Sequence, residues 1–209
     1  MSARFALAIW YAGLQNLPMG DGLTVRAATI DDAAAIAGIY APYVLETAIS
    51  FEETPPTAAE FEARMLAAPR LPWLVAVRGD SVVGYCHASP HKTRAAYRWS
   101  ADVSVYVDPR VRGCGVGRLL YGELLPLVQS LGYVSVFAGI ALPNDASVGF
   151  HQAFGLTPVG VYRNVGFKHN KWRDVGWWQL TFADPPDQPA EPTPWVPPDL
   201  TGRARRRRR

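Results

Sequence analysis

The stretch "VYVDPRVRGCGVGRLLY", residues 105–121, reads as a strand, a glycine loop and the start of a helix. Glycines stand at the alternate positions 113, 115 and 117. Missing side chains expose consecutive backbone N–H groups, and a helix starting there adds positive potential. Such a loop suits phosphate, although three glycines alone are also compatible with a turn that binds nothing. Two common phosphate loops do not fit. A Walker loop ends in Gly-Lys-Ser/Thr, whereas Arg118 and Leu119 follow Gly117. A dinucleotide turn needs a glycine where Arg118 stands and an acid about 20 residues on. The strand "YVSVFAGIA" at 133–141 has no acid. What remains is Arg112-x-x-Gly115-x-Gly117, with Arg112 and Arg118 adding charge.

On either side of the loop, strand and helix patterns alternate. "LTVRAAT" (23–29) predicts a strand, and Asp31 or Asp32 caps a helix over 33–46. Thr57 with Glu60 forms a capping-box pattern before the helix "AAEFEARMLAA". "WLVAVRGDSVVGYCHAS" (73–89) predicts a hairpin, and 96–107 the next strand. Val116, Leu119, Leu120, Leu124, Leu127, Val128 and Leu131 form a helical stripe after the glycines. "NDASVGFHQAFG" predicts a short helix closing on Gly155. Two last strands, 157–166 and 174–182, are joined by "FKHNKWR". The alternation indicates one α/β domain over residues 22–183, with a mixed, mostly antiparallel sheet flanked by helices.

The ends read differently. Residues 1–21 are taken as an extension, with Met19 a candidate for the true start. The apolar run "FALAIWYAGL" lacks a convincing cleavage site, and no apolar run reaches the ~20 residues that span a bilayer. Residues 184–209 are expected to be a disordered proline-rich linker with an arginine tail. The last seven residues carry six arginines, which leaves 15 basic against 18 acidic residues in the rest. The basic pI therefore belongs to the tail. Nucleic acid is not expected as a partner except through that tail. Two cysteines, Cys86 and Cys114, suggest neither a disulfide framework nor a zinc site, so a cytoplasmic setting is expected. His87 and His91 have no metal-ligand companions, and no metal is expected.

From about Leu23 to Phe182 the chain resembles the GNAT-type N-acetyltransferases. The resemblance is carried by the strand "VYV" followed by Arg-x-x-Gly-x-Gly. One branch is similar in more detail, the phosphinothricin and methionine sulfone/sulfoximine N-acetyltransferases. The matching segments are "ISF" (49–51), "KTRAAYRWSADVSVYV" (92–107), "RGCGVG" (112–117), "LPNDASV" (142–148) and "GFKHNKWRDVGWWQ" (166–179). The last lies outside the shared acetyl-CoA core and is the most specific. The resemblance implies the GNAT acyl-CoA N-acyltransferase fold, acetyl-CoA as cosubstrate, a small-molecule amine acceptor and a homodimer.

It also implies a site. Acetyl transfer requires a deprotonated amine placed against the thioester, donors for the oxyanion and stabilisation of the leaving thiolate. Val105, Tyr106 and Val107 are implied to lie along the pantetheine arm, and one of their amides meets the thioester oxygen. Arg112, Gly113, Cys114, Gly115, Val116, Gly117 and Arg118 are implied to hold the pyrophosphate. Asn144 and Ser147 are implied to face the cofactor. His151 shares their helix face and is implied to be catalytic near the sulfur. Asp102 stands where the branch typically has glutamate. It either acts as the base, directly or through water, or binds the substrate ammonium or a neighbouring arginine. Phe51, Lys92, Arg94 and Tyr97 are implied to line the acceptor site. Cys114 is not expected to carry an acyl group, and attack within a ternary complex is expected. The alternatives are an acetyltransferase of protein N-termini or other amines, and a non-catalytic acetyl-CoA sensor.

Overall fold

A computed structural model describes residues 22–67 and 70–197. The strands are β1 (Leu23–Ala27), β2 (Trp73–Arg78), β3 (Ser81–Pro90), β4 (Ser100–Val107), β5 (Ser135–Leu142), β6 (Thr157–Lys168) and β7 (Lys171–Thr181). They form one seven-stranded sheet in the order β1-β2-β3-β4-β5-β7-β6. Every neighbouring pair is antiparallel except β4–β5, so the sheet is mixed and mostly antiparallel, as expected. The α-helices among the described residues are α1 (Ala33–Leu45), α2 (Ala58–Leu66), α3 (Val116–Ser130) and α4 (Asp145–Ala153).

The parallel pair sets up the site. A parallel neighbour needs a crossover, and α3 supplies it between β4 and β5. The two strands pair only from Ser100↔Ser135 to Asp102↔Phe137. Beyond that point β4 stays with β3 as far as Val107↔Gly84. β5 stays with β7 as far as Leu142↔Asp174. A V-shaped gap therefore opens between β4 and β5, with Asp102 at its vertex.

Each sheet face has its own packing. Val116, Leu120, Tyr121, Leu124, Leu125 and Val128 of α3 are buried against one face, with Cys86, Ala101, Val103, Val136 and Ala138. Gly84 permits that approach, because a Cβ there would lie 2.8 Å from Val116 Cγ1. On the other face an aromatic cluster joins α1 and α2 to the sheet. Tyr40 meets Phe61 and Tyr106 edge-on at 5.7 and 4.8 Å, and Tyr85 stacks on Tyr106 at 5.3 Å. The capping box before α2 is present: Glu60 accepts from the Thr57 N–H at 2.7 Å, and Thr57 from the Glu60 N–H at 3.3 Å.

Several expectations are corrected. Asp32 does not cap α1 with its side chain. It accepts from the Thr29 N–H and pairs with Arg26 at 2.6 Å, and a 3-10 turn (Ile30–Asp32) leads into α1. β4 starts at Ser100, because Ala95–Tyr97 form a separate 3-10 turn. "FKHNKWR" is mostly strand. Phe167 pairs with Trp172 and Lys168 with Lys171. His169 and Asn170 alone make the turn, with φ 51° and 56°, the left-handed pair of a two-residue hairpin.

The expectation that 184–209 hangs free fails for 184–197. Trp195 is buried and its N–H donates to the Arg70 carbonyl at 3.0 Å. Thr193 N–H donates to Leu131 O at 2.8 Å, Trp99 Nε1 to Ala190 O at 2.8 Å, and Arg98 pairs with Glu191 at 2.7 Å. Prolines remove donors and stiffen the chain but do not prevent an extended segment from lying on a surface. The residues between the prolines supply the contacts. The expectations for residues 1–21 and for the arginine tail lie outside the described residues.

Candidate active site

The glycine loop stands at the open end of the V. Asp108 closes β4 by accepting from the Arg110 N–H at 2.9 Å and pairing with its guanidinium at 2.6 Å. Gly113 and Gly115 then take φ of +79° and +78°, backbone that side chains rarely adopt. The first bond of α3 runs from Leu119 N–H to Gly115 O at 3.0 Å. The N–H groups of Val116, Gly117 and Arg118 therefore precede the helical ladder, at the positive end of a helix with no acid in its first turn. Arg112 lies over the Tyr43 ring at 5.1 Å. Cys114 is exposed and free.

β4 offers backbone to the gap at alternate residues. His91 N–H donates to Ser100 O at 3.3 Å and Asp108 N–H to Val83 O at 2.9 Å, which fixes the parity of the β3–β4 ladder. That parity commits Asp102, Ser104 and Tyr106 to β3 and turns the backbone of Val105 and Val107 toward β5. Of the three amides expected at the thioester, Tyr106's is thus spent in the sheet. The Val107 carbonyl accepts from Tyr43 Oη at 2.6 Å.

Across the gap, Asn144 caps α4 by accepting from the Ser147 N–H at 3.2 Å. Asn144, Ser147 and His151 do fall together, but His151 is not open to the gap. Its ring is buried, with Nδ1 2.8 Å from Ser147 O and Nε2 3.0 Å from Tyr121 Oη. Nδ1–H donates to the carbonyl, so Nε2 accepts from the phenol. Burial lowers its pKa and holds it neutral. Both nitrogens thus have protein partners, and the ring ties α4 to α3.

At the vertex, Asp102 Oδ1 lies 2.6 Å from His91 Nδ1. The His91 ring stacks on Phe137 at 4.2 Å and meets Tyr97 and Trp177 edge-on at 6.1 and 5.8 Å. Lys92 Nζ stands 5.7 Å from the Trp177 ring centre. Burial raises the Asp102 pKa, opposed by the His91 hydrogen bond. Lys92 and Tyr97 thus stand beside the Asp102–His91 pair. Arg94 stands on the exposed 3-10 turn, outside this cluster. Phe51 covers Gly166 of β6, where a Cβ would strike its ring.

A strand gap with a glycine-led helix at its mouth has a known counterpart. A family model described as the acetyltransferase (GNAT) domain matches residues 25–177.

The chain belongs to the GNAT family.

It is 40% identical over 170 residues to a phosphinothricin N-acetyltransferase of Streptomyces viridochromogenes, covering 80% of this chain and 93% of that one. It is 33% identical over 166 residues to an L-methionine sulfoximine/L-methionine sulfone acetyltransferase of Salmonella typhimurium, covering 78% and 96%. A phosphinothricin acetyltransferase of the GNAT superfamily from Sinorhizobium meliloti, solved in complex with AcCoA, superposes with a TM-score of 0.75 at 33% identity, covering 85% and 96%. The chain is accordingly an acetyltransferase by family.

This GNAT domain also has a cavity whose lining the sequence did not mark. Beside Ser104 and Tyr106 lies a cavity of about 400 Å³, lined among others by Tyr40, Arg64 and His87. Arg64 forms a two-pronged pair with Glu52, both contacts at 3.0 Å, and Tyr40 Oη donates to Glu52 at 3.0 Å. His87 stacks on Trp73 at 4.2 Å, and burial pushes its pKa down to about 4. Tyr40, Arg64 and His87 come from three separate segments, so no local pattern announces them. From the sequence alone His91 is a histidine without metal-ligand companions. Among the described residues no group of three or more His, Cys, Asp or Glu is placed to hold a metal ion. No helix among them is long and apolar enough to cross a membrane.

Proposed function

We propose that the chain transfers the acetyl group of acetyl-CoA to the α-amine of a small amino-acid-like acceptor of the phosphinothricin or methionine sulfone/sulfoximine type. The observation that carries this reading is the β4–β5 gap, closed at Asp102 and opening toward the start of α3. The residues present fit acetyl-CoA. The amides of Gly113 to Arg118 and the Arg112 and Arg118 side chains suit a pyrophosphate. The β4 edge at Val105 and Val107 offers backbone partners to an amide-bearing arm. Asn144 stands at the other wall. Acetyl-CoA would supply an acetyl group activated as a thioester.

The chain's own residues then have distinct tasks. The Val105 or Val107 amide points into the gap as a donor for the acyl oxygen. Asp102 and its neighbours receive the acceptor amine at the vertex. Lys92 supplies positive charge beside it for an acidic acceptor. His151 holds α4, and Asn144 with it, in place. Attack occurs within a ternary complex, so Cys114→Ala retains most turnover and initial-rate lines with varied acceptor intersect.

The exposed side chains of Val161, Tyr162, Phe167 and Trp172 on the β6–β7 hairpin form an apolar surface suited to a second copy of the chain. We place the enzyme in the cytoplasm as a homodimer, in keeping with two free cysteines. A panel of phosphinothricin, methionine sulfone, methionine sulfoximine and an N-terminal peptide, read by released CoA thiol, tests the reading. Turnover of the first three supports it. Turnover of the peptide alone supports the protein N-terminal alternative.

A further inference from the structure

We propose that His91, oriented by Asp102, is the general base that deprotonates the acceptor. The inference rests on the acetyltransferase reading above. The base implied by resemblance was a carboxylate at position 102. In this chain that residue is aspartate, one methylene shorter than glutamate, and its Oδ1 is taken by His91 Nδ1 at 2.6 Å.

The arrangement is that of a base with an orienter behind it. Nδ1–H donates to the carboxylate, which fixes the tautomer and leaves the lone pair on Nε2. Asp102 also stabilises the imidazolium once it forms. Phe137 holds the ring face at 4.2 Å, and Tyr97 and Trp177 hold its edges. The His91 N–H is tied to Ser100 O at 3.3 Å. Among the described residues Nε2 has no protein partner, and it is not among the buried side-chain atoms left without one. Asp102 and Tyr97 are the titratable groups in contact with the ring, and Lys92 lies near Asp102.

The position matches the task. Asp102↔Phe137 closes the gap, and Val107 lies five residues further along β4, about 17 Å away. An arm held at the glycine loop and laid along β4 brings its far end toward the dyad. The step is a proton transfer. One N–H bond of the acceptor ammonium breaks, its electron pair remains on nitrogen, and the proton moves to His91 Nε2. The imidazolium so formed stays paired with the Asp102 carboxylate and returns its proton to water.

The test uses the full chain with acetyl-CoA and whichever acceptor the wild type turns over. His91→Ala is expected to lower kcat by roughly 10²–10⁴-fold with acetyl-CoA affinity unchanged. Added imidazole is expected to restore turnover in proportion to its concentration, which a purely structural histidine would not allow. The double variant with Asp102→Asn is expected to be no slower than His91→Ala alone. His91→Gln, checked for an unchanged melting temperature, covers the case in which alanine unfolds the site. A folded His91→Ala or His91→Gln within twofold of wild type overturns the proposal. So does a loss in folded His91→Ala that imidazole leaves untouched. A wild type that acetylates no amine overturns the acetyltransferase reading itself, a result distinct from either.

Discussion

Asp102 and Phe137 are the last residues at which β4 and β5 face each other. Three residues further on, the Val105 backbone turns into the gap. This early parting leaves a slot bounded by strand edge on both sides, and Gly113 and Gly115 stand at its mouth. Gly115→Val puts a β-branched residue at φ +78° and a side chain where the ligand must approach. Acetyl-CoA affinity is expected to fall at least tenfold by calorimetry, with the sheet intact by circular dichroism. Unchanged affinity would remove the loop from the binding site.

His151 and Tyr121 satisfy each other in the core at 3.0 Å. His151→Ala strands the buried phenol and opens a cavity, so stability is expected to fall by about 2–4 kcal/mol. The folded variant should keep kcat within a few fold below its lowered melting temperature. A folded, stable variant with a 10²-fold lower kcat would restore the histidine to a catalytic role.

Two buried histidines set a pH dependence. The folded pKa of His87 is pushed down to about 4 and that of His151 is also lowered, both chiefly by burial. The unfolded chain therefore binds more protons below the ordinary value of about 6.5, and stability falls as pH drops from there toward 4. The raised Asp102 pKa works in the opposite direction. The difference between wild type and His87→Gln isolates one group. In urea unfolding, the variant should lose less stability than wild type between pH 6.5 and 4, by up to about 3 kcal/mol. Parallel pH curves would contradict a neutral, buried His87.

Lys168 Nζ donates to the carbonyls of Val44, Ser50 and Glu52, each at 2.7 Å. It fastens the β6–β7 hairpin to the loop that carries Phe51. Lys168→Met leaves three acceptors without their cation and is expected to lower unfolding free energy by about 3 kcal/mol. The acceptor KM should rise as the loop loosens. Equal urea midpoints would show that the contacts are dispensable.

The proline-rich segment after β7 belongs to the fold. A chain ending at residue 183 loses the buried Trp195 and the Glu191 and Thr193 contacts. It is expected to melt roughly 4–8 °C below a chain ending at 197. Identical melting would return the segment to the role of a loose linker.

The strand–glycine–helix unit was legible because its chemistry is local. Consecutive N–H groups, left-handed glycines and a helix start all fall within one short stretch. The antiparallel hairpins were legible from alternation and turn residues. The vertex was not. His91 and Asp102 meet diagonally across the β3–β4 pair, and the 3-10 turn at Ala95–Tyr97 hides the register that brings them together. His151's burial was equally hidden, because its partner Tyr121 comes from another helix and no local spacing reports that docking. Proline content misled at 184–197, where packing depends on Trp195 finding a surface that only the folded domain provides.

α-Amine acetylation at this vertex can be read directly from the product. Purified full-length chain, incubated with acetyl-CoA and L-methionine sulfone, is assayed by NMR of the product together with released CoA thiol. N-acetyl-methionine sulfone is expected, formed in step with the thiol and absent without enzyme. Thiol release that is independent of the acceptor, or no acetylated amine from any member of the acceptor panel, would contradict it.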